Sequence, residues 1–320
     1  MVSNKLNVRV QRIDDLADGV RAFELVPVEG TELPAFTAGA HIDLHLPPDL
    51  VRSYSLYNNQ DAASAYQVAV ALDPNSRGGS RFLFEQVSAG QTIAISPPTN
   101  HFALVEDAPH TVLVAGGIGI TPLWAMAQRL TRLGRPWTLH YAARRAATAA
   151  FREELAALAA AGHGQVHFSF GDDPQRRYID LQQVFRDAPA GTHFYCCGPQ
   201  KMIDGFLAAG QQRPSDTVHV EFFEGVAPTG ADEAFTVELA KSGKTLQVPK
   251  GQTILEVVEQ AGIQVAHACK EGVCAACEVR VIDGLPDHRD LVLSKQEKAE
   301  NKSMMICCSG SLSSRLILDL

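Results

Sequence analysis

No apolar run in the 320 residues approaches the roughly 20 that a membrane-spanning helix needs. Nor is there a block of Lys or Arg, and the formal net charge is −8. A surface of that sign does not suit nucleic acid, whose phosphates call for clustered bases. The opening "MVSNKLNVRVQRIDD" lacks the apolar core of a secretory signal, so the expectation is a cytoplasmic protein whose thiols stay reduced. There is no internal repeat and no low-complexity tract. Cysteine is scarce at seven residues, and in a reducing compartment such residues serve as ligands or bystanders more readily than as disulfides. What is present is a globular balance, 46% hydrophobic and 20% charged, on a chain long enough for two or three domains.

Three textures follow one another. Residues 1–103 carry alternating or apolar runs, "VRAFELVPV", "HIDLHLP", "YQVAVAL" and "QTIAIS", broken by Gly, Pro, Asn and Asp. That spacing predicts a small antiparallel β-barrel or sandwich. Residues 104–225 alternate strand-like and helical stretches four times, beginning with "TVLVAGG" and "PLWAMAQRLTRLG". This is the pattern of an α/β domain with a parallel sheet covered on both faces. A small, polar stretch at 226–234 reads as a linker. Residues 235–320 form an α+β module with a hairpin turning at Ser242-Gly243, a helix ending at Gly262, and strands "CEVRVIDG", "MMICCS" and "RLILDL".

Three of the seven cysteines crowd into "ACKEGVCAAC" in that last module, spaced Cys269-x4-Cys274-x2-Cys277, with Cys307 distant. This is the plant-type 2Fe–2S spacing. Two sulfide-bridged irons need four thiolates, and a short loop with one remote residue can surround them. Gly272 allows a backbone turn closed to residues with a Cβ. A structural zinc site would pair C-x2-C with another such pair or with histidines, and neither His267 nor His288 gives that pairing. Cys307 and Cys308 compete for the fourth position; in a strand only one of them faces the cluster.

Two other stretches suit phosphates. In "SRGGSRF", Gly78 and Gly79 stand between Arg77 and Ser80 ahead of a helical run, where backbone N–H groups can close on an anion. In "VLVAGGIGITPLWAMAQ", Gly117 and Gly119 make a tight turn between strand and helix; Thr121 is placed to cap the helix and Pro122 to open it. "YCCGPQKMI" lies at the carboxyl end of a strand, where open α/β sheets bind ligands. Asp172 and Asp173 end another strand; a carboxylate there accepts from a ribose 2′-OH and repels a 2′-phosphate, which favours NADH over the opposing hint of Arg144 and Arg145. No base accompanies Cys197, so it is not expected to act as a nucleophile.

"GLPDHRDLVLSKQEK", "CCS" and "LILDL" resemble the C-terminal ferredoxin domain of the phthalate dioxygenase reductase and vanillate O-demethylase reductase family, and "RSYSL" with "GGIGITP" extends the resemblance through the chain. It implies a β-grasp ferredoxin module whose metal ligands are Cys269, Cys274, Cys277 and Cys307, a barrel that binds FMN, and an NADH-binding domain. It implies that Tyr54 lies against the flavin ring, that Ser55 hydrogen-bonds the hydride-accepting nitrogen, and that Arg52 faces the phosphate or the pyrimidine side, with Ser53 in the same strand. Gly78, Gly79 and Ser80 would hold the phosphate beside Arg77, and the backbone of Ala69, Val70 and Ala71 would meet the ring edge. Gly116, Gly117, Gly119, Thr121, Pro122 and Asp172 would take the nucleotide, Cys197, Gly198 and Pro199 would approach the nicotinamide, and Phe223 would stack near the flavin. One departure is Ala275-Ala276, where the family carries Gly then Ser or Thr.

A hydride brings two electrons and an iron–sulfur cluster takes one at a time, so the flavin belongs between them. The expectation is an NADH-dependent reductase serving a Rieske-type oxygenase component. The rivals are a free-flavin or quinone reductase and a zinc-stabilised nucleotide-binding module.

Overall fold

The computed structural model describes residues 5–320 apart from Thr31, Asp49, Ala62, Ala63, Arg176 and residues 226–229. They fall into two compact units, Asn4–Phe223 and Glu224–Leu320.

The first unit opens with β1 (Leu6–Ala17), β2 (Val20–Pro27), β3 (His41–Leu46), β4 (Leu50–Ser55), β5 (Tyr66–Ala71), α1 (Gly79–Glu85) and β6 (Thr92–Ile95). The six strands pair antiparallel in the order β4-β3-β6-β1-β2-β5. The edges meet where Leu56 bridges Val68 and Tyr57 N–H donates to Gln67 C=O at 3.0 Å, which closes the sheet on itself. Alternation decides which side chains go inside: Ile42, Leu44 and Leu46 of "HIDLHL" are buried, as are Val8, Val10, Phe23 and Leu25.

There follow β7 (Thr111–Gly116), α2 (Ile120–Arg132), β8 (Trp137–Ala143), α3 (Arg152–Ala160), β9 (Gly164–Phe170), α4 (Leu181–Asp187), β10 (His193–Cys197), α5 (Gln200–Ala209) and β11 (Val218–Glu221). Every pairing is parallel, in the order β11-β10-β7-β8-β9. Central β7 is buried throughout, as its unbroken "TVLVAG" requires of a strand covered on both faces. Leu123, Met126, Ala127 and Leu130 of α2 pack into the same core as Leu113 and Ala115. Ala69 of β5 and Phe102 join that core, so the barrel and the parallel sheet share packed surface.

The second unit has β12 (Phe235–Leu239), β13 (Lys244–Val248), α6 (Ile254–Gln260), β14 (Glu278–Asp283), β15 (Pro286–Asp287), α7 (Lys295–Glu300), β16 (Ser303–Met305), β17 (Gly310–Ser311) and β18 (Arg315–Leu318). Its main sheet runs β13-β12-β18-β14-β16, with β12 and β18 parallel and the other pairs antiparallel. Thr253 and Glu256 form a capping box at α6, whose apolar face, Ile254, Leu255 and Val258, is buried in this core. Of the expected linker, residues 226–229 lie outside the described residues, while Ala231 is buried in the second unit and bridges Lys250.

Candidate functional site

Strand β4 carries Arg52, Ser53, Tyr54 and Ser55 opposite Leu44, Asp43, Ile42 and His41 of β3. The Arg52 guanidinium donates to the Val51 carbonyl at 2.7 Å and to the Arg77 carbonyl at 2.9 Å. Its stem crosses Gly79 so closely that a Cβ there would sit 2.6 Å from Arg52 Cγ. "RSYS" and "RGGS", 25 residues apart, thus meet in one place. Ser53 is spoken for: its hydroxyl donates to Asp43 Oδ1 at 2.6 Å. Ser80 Oγ donates to Ser76 Oγ at 2.9 Å and accepts from Asp73 N–H at 3.2 Å. Burial pushes the Tyr54 phenol up to about 12, so the ring is neutral and suited to lie against an uncharged π-system.

Ser55 stands apart. Its side chain is 5% exposed, and its hydroxyl has no hydrogen-bond partner among the described residues. A buried hydroxyl left unpaired costs about 1–3 kcal/mol. The position fits a bound group that supplies the missing partner, as a flavin ring nitrogen would. In β5, Ala69 and Ala71 turn toward the core shared with the parallel sheet and Val70 into the barrel, which leaves their backbone as the part open to a ring edge.

On the parallel sheet the two candidate nucleotide turns come together. β7 and β10 are neighbours with Cys197 opposite Ala115, so the glycine turn after one strand faces Cys197-Gly198-Pro199 after the other. A Cβ on Gly119 would lie 2.3 Å from the Cys197 carbonyl oxygen; one on Gly116 would lie 2.5 Å from Pro199 Cδ. Only backbone fits between these segments. Gly117 has φ 55 and open space where a Cβ would point, so that side of the turn is free to receive a ligand.

Here the structure corrects one expectation. Gly117–Gly119 form a 3₁₀ turn that runs straight into α2, whose first residue is Ile120. Thr121 is therefore inside the helix and not its cap, its hydroxyl donating to Ile118 C=O at 3.0 Å. Pro122 is third and not first; its missing N–H is still one of the unpaired donors of the opening turn. Asp172 is engaged as well, accepting from the Ala146 N–H at 3.0 Å, which ties the loop after β9 to the loop after β8. Phe222 packs into the core with Val112 and Phe194, whereas Phe223 is 38% exposed; the neighbours that sequence left equivalent are distinct.

Cys197 is buried, and burial, reinforced by Glu221, pushes its thiol well up, so it is a neutral lining group. Its Sγ donates to Glu221 Oε2 at 3.9 Å. Burial pushes the Glu221 carboxyl up to about 8. Sequence reasoning passed over Glu221. The available signal was an acid at the carboxyl end of the apolar strand "TVHVEFF", but its register opposite Cys197 comes only from the parallel pairing of β10 and β11.

In the second unit Cys274, Cys277 and Cys307 are buried and Cys269 is partly exposed. Backbone N–H groups of Glu271 and Val273 donate to Cys269 Sγ at 3.3 and 3.5 Å, and that of Cys269 donates to Cys274 Sγ at 3.4 Å. The neighbouring thiols of Cys274 and Cys307 hold Cys269 far below its usual range, while they are themselves pushed up, chiefly by Cys269. Sulfurs so close cannot all ionise without a positive charge among them, which bound iron provides. Among the described residues no three Cys, His, Asp or Glu side chains converge as a ready-made site for one ion.

A further expectation changes. Cys307 and Cys308 lie in a turn beyond β16, not in a strand, so the rule of opposite faces does not separate them. Both thiols point toward the loop: Cys307 Sγ reaches Cys269 and Cys277, and Cys308 Sγ lies beneath Gly272. Ala275 adopts φ 59, in the left-handed region that alanine resists, as do Lys270 at φ 58 and Gly272 at φ 71.

The comparisons agree with this geometry. Residues 237–310 match the 2Fe–2S iron–sulfur cluster binding domain family, and residues 91–220 match the N-terminal domain of the dimethylamine monooxygenase subunit DmmA-like family. The tetrachlorobenzoquinone reductase of Sphingobium chlorophenolicum is 48% identical over 98% of this chain and 98% of its own length. The phenoxybenzoate dioxygenase subunit beta of Ectopseudomonas oleovorans is 47% identical over 98% of this chain and 97% of its own. A solved phthalate dioxygenase reductase, described as a modular structure for electron transfer from pyridine nucleotides to [2Fe–2S], matches at 35% identity and TM-score 0.71, covering 99% of this chain and 98% of its own. An intact type IV self-sufficient cytochrome P450 monooxygenase matches at 38% identity and TM-score 0.91, and the chain spans 41% of that longer protein. With a flavin-type barrel, a nucleotide turn and a 2Fe–2S module on one chain, this protein belongs to the family of phthalate dioxygenase and vanillate O-demethylase reductases, the oxidoreductase components of oxygenase systems.

Proposed function

We propose that this chain draws electrons from NADH and hands them singly to a Rieske-type oxygenase component. The observation that carries the reading is the cysteine loop, where N–H donors are aimed at sulfur inside the segment matched to 2Fe–2S domains. When bound, NADH supplies a hydride, FMN splits the pair, and the cluster releases one electron at a time. The chain's own residues do the placing. Gly116 and Gly119 let the nucleotide turn close onto Cys197, Gly198 and Pro199. Asp172 offers a carboxylate suited to a ribose hydroxyl. Arg52, held by two carbonyls, and Gly78, Gly79 and Ser80 form the phosphate end of the flavin site, with Ser55 and Tyr54 at the ring. Phe223, exposed at the end of its unit, is the aromatic side chain assigned to stack near the flavin. Cys269, Cys274, Cys277 and Cys307 hold the cluster.

The test is anaerobic titration with NADH, followed in the visible, on the native protein and on Cys274→Ser. The native protein should bleach at flavin and cluster wavelengths and reduce a one-electron protein acceptor. The variant should bleach its flavin and leave the acceptor oxidised. Acceptor turnover that survives in the variant would reverse the proposed order.

A second reading has its own support in the 48% identity to a tetrachlorobenzoquinone reductase. On that reading a quinone takes electrons at the flavin, and Cys274→Ser keeps full quinone turnover.

A further inference from the structure

The turn that carries Cys307 holds a second thiol with almost the same outlook. Cys307 and Cys308 are 1% and 5% exposed, and neither belongs to a strand. Their thiols lie within mutual hydrogen-bonding reach, and Cys307 alone of the two also reaches Cys269 and Cys277. Cys308 Sγ occupies the space that a side chain at Gly272 would take: a Cβ there would stand 2.5 Å from it. Apart from its sulfur neighbour, its hydrogen-bond contacts among the described residues are long, to Met305 C=O at 3.7 Å and Ser309 Oγ at 3.8 Å. Among the described residues no short hydrogen bond anchors this thiol, and the cysteine loop passes directly over it at Gly272.

Resting on the assignment of this loop as the 2Fe–2S site, we propose that Cys308 is a second competent fourth ligand, able to replace Cys307 when that sulfur is lost. The step is a ligand substitution with no change of oxidation state. The Cys308 thiol gives its proton to solvent, and its thiolate sulfur forms the iron bond that Cys307 no longer supplies. The adjustment is a rotation within one turn, because the two thiols already lie within hydrogen-bonding reach and, among the described residues, neither cysteine pairs with a strand. In a strand the same exchange would require turning the backbone over.

The experiment measures iron and acid-labile sulfide per chain, with low-temperature EPR of the reduced protein, on full-length variants reconstituted anaerobically. Cys308→Ala should hold two irons with the native spectrum. Cys307→Ala and Cys307→Ser should also hold two irons, with shifted g values. Adding Cys308→Ala to either should remove the cluster. Cys307 variants that are devoid of iron, or insoluble, while Cys308→Ala is loaded would overturn the proposal. So would a cluster that survives removal of both thiols, or identical spectra for Cys307→Ser with and without Cys308. Loss of iron from Cys308→Ala and native protein alike would instead strike the 2Fe–2S assignment itself.

Discussion

The Cys197 thiol donates to Glu221 Oε2 at 3.9 Å across the paired strands β10 and β11, directly in register. Burial keeps both groups uncharged at the carboxyl edge of the parallel sheet; Glu221 adds to the rise of the Cys197 thiol, whereas the bond donated by that thiol tempers the rise of the Glu221 carboxyl. The pair lies beside the glycine turn, so a neutral carboxyl borders the place where a nicotinamide is proposed to sit.

A pH dependence follows. Burial raises the folded carboxyl of Glu221 from 4.5 to about 8. The folded state then keeps a proton that the unfolded chain releases. Its contribution to stability is complete below the unfolded value and is lost as pH rises through about 8. The slope in between is at most about 1.4 kcal/mol per pH unit. Thermal unfolding of the first unit should fall between mildly acidic and mildly alkaline pH in the native protein. In Glu221→Gln, which cannot ionise, the same profile should be nearly flat. Parallel profiles for the two proteins would dismiss the raised carboxyl.

Ser55 makes a sharper test because its hydroxyl has no partner among the described residues. Ser55→Ala removes an unpaired buried group, so without flavin the variant should be as stable as the native protein or more so, by up to about 1 kcal/mol. With flavin bound the sign reverses. Flavin reduction by NADH, followed by stopped flow, should slow by about 10- to 100-fold if the hydroxyl faces the reacting nitrogen. A variant less stable without flavin and unimpaired in flavin reduction would show that the hydroxyl is structural.

The two glycines of the nucleotide turn should respond differently. Gly119 has φ −61, a conformation alanine accepts, yet its Cβ would stand 2.3 Å from the Cys197 carbonyl oxygen. Gly117 has φ 55 but open space. Gly119→Ala must therefore push the glycine turn and the Cys197 backbone away from each other, and the KM for NADH should rise at least about tenfold, equivalent to about 1.4 kcal/mol. Gly117→Ala should cost about 1–2 kcal/mol of local stability with a smaller change in KM. Steady-state kinetics together with thermal unfolding distinguishes these outcomes; equal effects on KM would refute the distinction.

Much of this was legible in the residues. The parallel sheet announced itself through "TVLVAGG" followed by an amphipathic helix, and α6 through "TILEVVEQAG" and its closing glycine. What stayed hidden was long-range. β1 mixes charged and apolar residues over 12 positions, and its register beside β2 depends on bulges that no local pattern reveals. The contact of Arg52 with Gly79 and the Arg77 carbonyl joins motifs that are separate in sequence. Glu221 matters only because β11 lies beside β10. Cys307 and Cys308 misled because "MMICCS" has strand-like composition, while the strand stops at Met305 and the chain turns.

The last prediction concerns Ala275, where the chain departs from the family pattern and the backbone takes φ 59. An L-residue in that region costs about 1–2 kcal/mol. Glycine would escape this strain, though it carries more conformational freedom into the unfolded chain, worth about 0.5–1 kcal/mol. The balance favours Ala275→Gly by roughly 0.5–1 kcal/mol. The side chain is buried against the module core, so lost methyl contacts offset some of that gain. The expected result is a small increase in the temperature at which the cluster absorbance bleaches, with iron content unchanged. A marked decrease would mean that the methyl group's packing outweighs the strain, and that this chain replaced the usual glycine because its core gained more than its loop lost.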